Sequence, residues 1–332
     1  MKAAFVPSFN SQWEIRETPT PKPSPNQVLI KIHASGLCYS DVHITNGELP
    51  FPINFPCILG HEPVGEIVEV GESVTTRNKG DRVGVPYLQK TCSRCEWCQR
   101  GKRLFCEQQQ GTGVHLHGGH AEYMLAFEDA TMLLPNEISY EQAAPIFCAG
   151  YTVYSGLRAA NPKSQERIAI VGIGGGLGHL GIQYSKAPGF HTIAVTHSKD
   201  KEELAYKLGA DQVVSNGKDL KLNGGADVIL VTSNSYKPAI EAFQGLRPEG
   251  RWILMGMSNE KLTIDPLSLF LNRYQIIGSQ QNSPEYLYEA LDFLAKGKIK
   301  VMTETFSLDN IHEAYDKVAN GKVRFRAVIH NK

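Results

Sequence analysis

The stretch Ile168-Ala169-Ile170-Val171-Gly172-Ile173-Gly174-Gly175-Gly176-Leu177-Gly178 joins a short apolar run to a glycine-rich turn. Helical spacing begins directly afterwards, over residues 177–186. Glycines allow a tight turn and a close approach of the backbone, so the N-terminus of the following helix can hold a pyrophosphate. A lone glycine motif is a weak signal, but this one lies between a predicted strand and a predicted helix. That context indicates a dinucleotide-binding unit.

Alternating strand and helix patterns continue after this turn. Six apolar stretches are predicted as strands, at residues 168–171, 192–196, 212–214, 227–231, 252–255 and 276–279. Helical spacing occurs at residues 177–186, 201–208 and 238–243. Six strands with crossover helices predict a doubly wound parallel sheet of the α/β class, in a cofactor domain spanning residues 150–284.

Residues 1–149 have a different pattern, in which short predicted β segments are interrupted by glycine and proline. They predict a small β-rich barrel or sandwich whose loops carry the polar residues. The C-terminal residues 285–332 contain two predicted helices and a final strand at 326–330. We expect this segment to return to the first domain and complete it.

An imidazole and a carboxylate stand side by side in the stretch Gly60-His61-Glu62-Pro63-Val64-Gly65. Cys38 and Cys148 are candidate thiolates to join them. Three protein ligands and an open fourth position are typical of a catalytic zinc site. Taken alone, however, an adjacent His-Glu pair is more often a surface turn than a metal site.

Four cysteines, Cys92, Cys95, Cys98 and Cys106, fall within one short loop. Four thiolates this close in sequence can converge on one zinc ion and leave no open position, which favours a structural zinc. An iron–sulfur cluster also takes four cysteines, but the Cys-Pro ending of bacterial ferredoxin runs is missing. A zinc ribbon for nucleic acid is the other alternative, and the chain has no net basic excess to support it.

The composition is that of a globular protein of about two domains, with 332 residues and 42% hydrophobic content. The 34 basic residues balance the 34 acidic ones, so no large single-sign field recruits nucleic acid or an anionic membrane. We find neither an apolar run of about 18 residues nor a cleavable leader, and we expect a cytoplasmic protein. In that compartment the seven cysteines favour metal binding or catalysis over disulfides.

The motifs at residues 60–65, 92–106, 148–150 and 172–178 together resemble zinc-dependent medium-chain alcohol dehydrogenases of the bacterial and yeast type, over essentially the whole chain. The resemblance implies a GroES-like catalytic domain beside a Rossmann cofactor domain. It implies two zinc ions per chain. Cys38, His61 and Cys148 would bind the catalytic zinc, with Glu62 as a neighbouring carboxylate able to approach it. The four clustered cysteines would bind the structural zinc.

The resemblance also implies a reaction, the reversible transfer of a hydride between a primary alcohol or aldehyde and NAD(P), with zinc stabilising the alkoxide. Asp41 matches an aspartate that orients the ligand histidine. Ser40 and His43 match a proton relay, although His43 alone would be an ordinary exposed histidine. Leu49 and Tyr87 stand where the yeast-type enzymes carry tryptophans, so the substrate pocket is expected to admit more than ethanol.

Cofactor choice depends on Thr196, which follows the second predicted strand, where an aspartate would select NAD. Hydroxyls and a nearby lysine can hold a 2′-phosphate, and without a carboxylate there is no repulsion, so we favour NADP over NAD. Lys201 matches a lysine that contacts the ribose in NAD enzymes too, so it does not discriminate. Asp200 could turn inward and restore a preference for NAD. Tyr39 stands where many relatives carry a basic residue against the pyrophosphate, and Arg326 matches a phosphate-binding arginine that could compensate.

Three other functions stay open at this point. An aldehyde reductase of the cinnamyl-alcohol-dehydrogenase type would use NADPH. A zinc-free quinone or enone reductase would not need both sets of candidate ligands. A non-catalytic zinc-binding module would leave the relay and the glycine turn without purpose. The expected partner is a small-molecule alcohol or aldehyde, with no nucleic acid and no membrane, and relatives of this length imply a homotetramer assembled through the cofactor domains.

Overall fold

The computed structural model describes residues 1–49 and 52–331. The described chain forms eighteen strands, most of them short. Their bounds are β1 Lys2–Val6, β2 Glu14–Glu17, β3 Gln27–Leu37, β4 Cys57–Ile58, β5 Pro63–Val70, β6 Arg82–Gly84, β7 Leu88–Lys90, β8 Gln110–Gly111, β9 Tyr123–Phe127, β10 Met132–Leu133, β11 Arg167–Val171, β12 His191–Val195, β13 Gln212–Val214, β14 Ala226–Val231, β15 Leu246–Leu254, β16 Gln275–Gly278, β17 Thr303–Ser307 and β18 Arg326–His330.

Eleven α-helices accompany the strands in the described chain. Their bounds are α1 Tyr39–Thr45, α2 Glu96–Gln99, α3 Tyr140–Ala143, α4 Ala149–Ala160, α5 Gly176–Lys186, α6 Lys199–Lys207, α7 Gly217–Leu222, α8 Tyr236–Phe243, α9 Pro266–Asn272, α10 Pro284–Ala295 and α11 Ile311–Ala319. Short 3₁₀ helices occur at Arg103–Phe105, Glu128–Ala130, Ala144–Phe147 and Leu308–Asn310. Across the described ranges no helix has the length and apolar character needed to cross a bilayer.

The chain divides into two compact units. Unit 1 comprises Met1–Cys148 together with the C-terminal segment from Met302, and its largest sheet has seven strands. Six of these follow the order β10-β6-β5-β3-β18-β17, and β9 pairs with β3. Because β18 runs antiparallel to β3, the C-terminal strand is an integral part of this sheet. A three-stranded sheet, β2-β1-β4, and the β7–β8 pair complete the strands of the unit.

The long strand β3 organises the core of unit 1. Val28, Ile30 and Ile32 alternate along it and are at most 1% exposed. They pack with Ile67 of β5 and Met124 of β9, as expected for β-branched and aliphatic side chains on the inner face of a curved sheet. The strand ends at Leu37, directly before α1. The same strand that fixes the core therefore delivers Cys38 and α1 to one rim of the sheet.

Unit 2, Ala149–Val301, contains a parallel sheet of six strands in the order β13-β12-β11-β14-β15-β16. This order confirms the predicted doubly wound fold, because the first strand lies in the middle and the chain winds outward in both directions. All six predicted strands are present. The central residues 168–171 are at most 1% exposed, since helices cover both faces of a parallel sheet. The residue spacing did not predict α4, α7 or α9.

The units meet in sequence at residues 148/149 and 301/302, whereas the boundaries proposed from the sequence place the return of the chain at residue 285. Residues 285–301 lie in unit 2 because α10 packs against α4 and α5. The hydroxyl of Tyr184 donates to the carbonyl of Ala290 at 3.1 Å, and the ring of Phe293 lies 5.6 Å from that of Tyr154. These contacts join α10 to the helices that cover the sheet.

Candidate active site

The four side chains expected around the catalytic zinc lie together in unit 1. One ligand atom from each of Cys38, His61, Glu62 and Cys148 falls within 4.8 Å of the others. The Cys38 and Cys148 sulfurs are 3.9 Å apart, and His61 Nε2 is 3.3 Å from Cys148 Sγ. Two thiols and an imidazole at these distances form a donor set that suits zinc, a borderline-soft cation.

Two turns of the backbone hold the ligands in place. Cys38 is the residue before α1, and its backbone N–H donates to Asp41 Oδ2 at 2.8 Å, which caps the helix. Gly60 has φ +95°, a conformation that other residues rarely adopt, and it turns the chain between β4 and β5 so that His61 points inward. Asp41 Oδ1 lies 3.5 Å from His61 Nδ1. One carboxylate therefore contacts the segments that carry two of the candidate ligands.

Burial and charge set the protonation of this cluster. Burial alone would raise the pKa of Asp41, but the charge of His61 and the closeness of the His61 and His120 rings hold that pKa well below its usual range. Burial alone would lower the pKa of His61, but Asp41 raises it to about 10. The hydrogen bond between the two thiols lowers the pKa of Cys38 and raises that of Cys148. Two adjacent thiolates repel each other, so the two cysteines together retain one proton. A divalent cation would relieve that repulsion.

Glu62 forms a fully buried ion pair with the last strand. Arg326 of β18, which is 5% exposed, donates through a guanidinium N–H to Glu62 Oε1. Oε1 also lies 3.9 Å from His61 Nε2. The other oxygen, Oε2, has no hydrogen-bond partner among the described residues. A buried carboxylate oxygen left free beside two thiols and an imidazole fits a metal ion, so the residues present suit the zinc that the sequence implies.

The expected proton relay lies on α1. Ser40 Oγ is 3.5 Å from Cys38 Sγ, at the edge of the candidate metal cluster. His43 Nδ1 is paired with a Glu48 carboxylate oxygen, and this hydrogen bond lowers the pKa of Glu48. The Tyr39 ring meets the His43 ring edge-on at 4.8 Å. Sequence reasoning missed Glu48, because its spacing of five from His43 fits no motif and becomes a contact only where α1 ends.

The second candidate metal centre is the four-cysteine loop. One sulfur from each of Cys92, Cys95, Cys98 and Cys106 lies within 4.8 Å of the others. Backbone N–H groups point at these sulfurs, with Cys95 N 3.3 Å from Cys92 Sγ. Hydrogen bonds from the backbone of Arg94 and Cys95 lower the pKa of Cys92 to about 6. Four convergent sulfurs with thiolate-stabilising amides fit a closed tetrahedral zinc site.

A cavity of about 210 Å³ in unit 2 lies at the carboxyl ends of β11 and β12. The glycine turn forms one wall, and Gly172 adopts φ +92°, which a side chain would strain. Lys201 Nζ lies 2.9 Å from the point that a Cβ on Gly174 would occupy, so its ammonium covers the turn. In a doubly wound sheet this position is the one that receives a dinucleotide.

The expected selector residues of the cofactor lie in the same cavity. Thr196 and Ser198 line it, and so do Asn216 and Glu241, which sequence reasoning missed. Asp200 accepts a hydrogen bond from the Ser198 hydroxyl at the start of α6. Asn216 lies two residues after β13 and Glu241 lies in the last turn of α8, and nothing in the local sequence of either residue marks it. Only the strand order brings them beside Thr196.

Leu49 and Tyr87, the two residues expected in the substrate pocket, are both half-buried in unit 1. Both pack against the same group of buried residues, which includes Cys57 and Leu59. Burial raises the pKa of the Tyr87 hydroxyl, so this tyrosine stays neutral at physiological pH. Whether they contact a substrate remains a prediction.

Comparisons with known proteins agree with this architecture. Residues 24–136 match the alcohol dehydrogenase GroES-like domain, and residues 176–296 match the zinc-binding dehydrogenase domain. The chain is 40% identical to an alcohol dehydrogenase of Geobacillus stearothermophilus over 335 residues, covering 99% of both chains. Together, the two domains define an oxidoreductase with a dinucleotide-binding fold. The chain belongs to the zinc-binding medium-chain alcohol dehydrogenase family.

Solved structures extend the comparison to bound cofactors. An acetophenone reductase from Geotrichum candidum NBRC 4597, in complex with NAD, is 29% identical with a TM-score of 0.88, covering 99% of this chain and 97% of that one. The protein CAD from Helicobacter pylori, complexed with NADP(H), is 25% identical with a TM-score of 0.90 and the same coverages. Proteins similar to this chain thus include one bound to NAD and one bound to NADP(H).

Proposed function

We propose that this protein is a zinc-dependent alcohol dehydrogenase that transfers a hydride reversibly between a primary alcohol or aldehyde and NAD(P). The main support is the cluster of Cys38, His61 and Cys148, beside which Glu62 Oε2 has no hydrogen-bond partner among the described residues. Three ligands and an open position suit catalysis, and the four-cysteine loop suits a second, structural zinc. When bound, the catalytic zinc supplies Lewis acidity at the alcohol oxygen.

The residues around the cluster have separate tasks. Asp41 Oδ1 lies 3.5 Å from His61 Nδ1, and a hydrogen bond there would leave Nε2, which faces Cys148, as the nitrogen that offers its lone pair to a metal ion. Arg326 neutralises Glu62, so that the carboxylate can be buried beside two thiolates. This pair also offers an alternative to the expected role of Arg326 in holding the cofactor phosphate. The two roles are compatible only if a free guanidinium N–H remains for the phosphate.

Proton transfer would use the residues of α1. Ser40 lies beside the cluster, where its hydroxyl would accept a hydrogen bond from the alcohol and give up its own proton, and His43 would be the base that finally takes up a proton. The Glu48 carboxylate pairs directly with His43 Nδ1 and so restrains the orientation of its ring. In unit 2 the proposed phosphate and ribose contacts are Lys201 and the glycine turn, Gly172, Gly174, Gly175, Gly176, Leu177 and Gly178. In unit 1 the resemblance proposes Tyr39 and Arg326 for the same role.

The test of the function is alcohol-dependent reduction of each cofactor. Purified protein should reduce NAD or NADP with a series of primary alcohols, and it should oxidise the reduced cofactor with the matching aldehydes. Aliphatic and cinnamyl-type alcohols in one series separate a general dehydrogenase from a cinnamyl-type reductase. Failure to turn over any alcohol or aldehyde, in protein that carries its metals, would contradict the proposal.

We expect His43→Ala to slow alcohol oxidation mainly at low pH. The variant loses a general base, so kcat should fall by about tenfold to a hundredfold near pH 6 and by less as solvent hydroxide becomes available. The pH profile of kcat for the parent and the variant checks this. His312→Ala, at a half-buried histidine of α11 that belongs to neither group of candidate metal ligands, is the matched control. Equal loss at every pH would leave His43 without a relay role.

We propose NADP as the preferred cofactor, with Thr196 as the selector. The variant Thr196→Asp introduces a carboxylate that repels the 2′-phosphate and accepts from the ribose hydroxyls. The ratio of kcat/KM for NADP to that for NAD should fall by at least about tenfold, which is about 1.4 kcal/mol. Thr196→Ser keeps the hydroxyl and should leave the ratio nearly unchanged. A tenfold preference of the parent for NAD would overturn the choice of NADP.

We propose that copies of the chain associate through unit 2 into a homotetramer. The edge strand β16 pairs only with β15 within the described chain, and Ile276 on it is 39% exposed. Phe270 and Leu271 of the neighbouring α9 are 77% and 67% exposed. An uncovered apolar edge is an aggregation risk unless it is paired, and a second copy related by a twofold axis can pair edge to edge.

Light scattering should give a tetramer mass for the parent protein. Phe270→Asp combined with Ile276→Lys should give a smaller species, because both changes put charge on the proposed contact. Leu222→Asp, at an equally exposed leucine on α7, should leave the mass unchanged. A parent protein that is monomeric at micromolar concentration would refute the assembly.

A further inference from the structure

We infer that His120 is a positioning residue for the candidate catalytic metal centre, in which its Nε2–H holds the Asp41 carboxylate that orients His61. The inference rests on the proposed function, because it concerns the centre formed by Cys38, His61 and Cys148. His120 belongs to the loop between β8 and β9, far in sequence from any of these residues. No metal-binding motif includes it.

His120 is completely buried, yet neither ring nitrogen has a hydrogen-bond partner within 3.5 Å among the described residues. Its Nε2 lies 3.7 Å from Asp41 Oδ2. An unpaired buried polar group costs about 1–3 kcal/mol, so an imidazole is an unfavourable choice here unless it interacts with the carboxylate. A small movement of the ring would convert this approach into a hydrogen bond.

The Asp41 carboxylate is the group that both histidines, His61 and His120, approach. Its Oδ1 faces His61 Nδ1 at 3.5 Å and accepts from Gly60 N at 3.4 Å. Its Oδ2 accepts from Cys38 N at 2.8 Å and faces His120. Donors therefore approach both carboxylate oxygens, and removal of His120 would leave Oδ2 with the backbone N–H alone. The two imidazoles lie on opposite oxygens of one carboxylate.

The backbone of His120 is fixed on both sides. Its carbonyl accepts from Ala4 N at 2.9 Å, and its N–H donates to the Leu59 carbonyl at 3.1 Å. The imidazole lies over Gly60, where a Cβ would come within 2.8 Å of the ring. The absence of a side chain at Gly60 thus makes room for His120 directly before the ligand His61. The ring therefore has little freedom to turn away from Asp41.

Trp13 also packs against the His120 ring. The Trp13 ring lies 5.6 Å from the His120 ring, and Trp13 Nε1 donates to Thr45 Oγ1 at 3.0 Å. Thr45 Oγ1 in turn donates to the Asp41 carbonyl at 2.8 Å. Trp13 therefore contacts the His120 ring and, through Thr45, supports the main chain of Asp41. Partners of this kind behind a metal ligand typically change metal affinity by about 10- to 100-fold.

The test compares two amides at position 120. His120→Gln places its amide nitrogen near the former Nε2 and can still donate to Asp41, whereas His120→Asn reaches only the former Nδ1 position. We expect a chelator to remove zinc from the first centre about tenfold faster in His120→Asn than in the parent, with His120→Gln close to the parent. Zinc held by the four-cysteine loop should leave at the parent rate in both variants.

His120→Phe adds a ring of similar size without a donor, and it should release zinc as fast as His120→Asn. If the phenylalanine variant does not fold, the pair of amides still decides the question. Equal release from the two amide variants would overturn the inference, because packing alone would then explain the site. A parent protein that binds no zinc at the first centre would instead overturn the proposed function, and the two failures are distinguishable by the zinc content of the parent.

Discussion

Replacing Cys38 by alanine is expected to lower kcat/KM for alcohol oxidation by at least about a thousandfold while the protein stays folded. Lewis acidity at the reacting oxygen contributes several kcal/mol, and a thousandfold corresponds to about 4 kcal/mol. Cys38 lies 3.9 Å from Cys148 in the cluster, so its loss removes one of three proposed ligands. Steady-state kinetics with one primary alcohol, together with circular dichroism, measure both parts of the prediction.

The matched control is Cys57→Ala. Cys57 is also a buried thiol of unit 1, 4% exposed, but it belongs to the core and to neither cysteine cluster. Burial raises its pKa to about 12, as expected of an inert thiol. This variant should keep activity within a few fold of the parent. If Cys38→Ala retains activity at the level of the control, the assignment of the catalytic centre is wrong.

Cys95→Ala should instead destabilise the protein and leave the chemistry of the first centre in place. A structural zinc site contributes folding free energy, and its loss should cost more than about 4 kcal/mol. For a chain of this size that is a drop in Tm of about 6 °C. The helix α2 in this loop has four residues and none of them is buried, so there is little core to compensate.

Limited trypsin digestion gives a local readout of the same prediction. Arg94, Arg100 and Lys102 are exposed cleavage sites within the loop. Cutting there should become fast in Cys95→Ala and stay slow in the parent and in Cys57→Ala. The prediction is contradicted if Cys95→Ala melts with the parent and resists trypsin to the same degree.

The sequence predicted those parts of the fold that depend on neighbouring residues. Residues 168–178 specify a buried strand, a glycine turn and a helix within eleven positions, and the structure has all three. The four-cysteine loop likewise needs only local convergence. By contrast, β15 begins at Leu246, six residues before the predicted strand, because its polar first half breaks the apolar pattern. α4 was missed because it follows directly on Cys148 without a capping signal.

In the candidate site, too, the sequence did not predict contacts between residues that are far apart in the chain. The resemblance named Cys38, His61, Glu62 and Cys148, and the structure brings them within contact distance. The pairing of Glu62 with Arg326 spans 264 residues and depends on β18 joining the sheet beside β3. The approach of His120 to Asp41 depends on α1 and the loop between β8 and β9 coming together. Contacts of this kind follow from strand order, which a pattern of residues does not encode locally.

The most direct test of the account is the zinc content of purified protein, because the central claim is that two metal centres of different kinds share one chain. Elemental analysis after dialysis against a mild chelator should give two zinc ions per chain for the parent and for Cys57→Ala. Cys38→Ala should give one zinc per chain, held by the four-cysteine loop. A parent protein that binds one zinc ion or none would contradict the account.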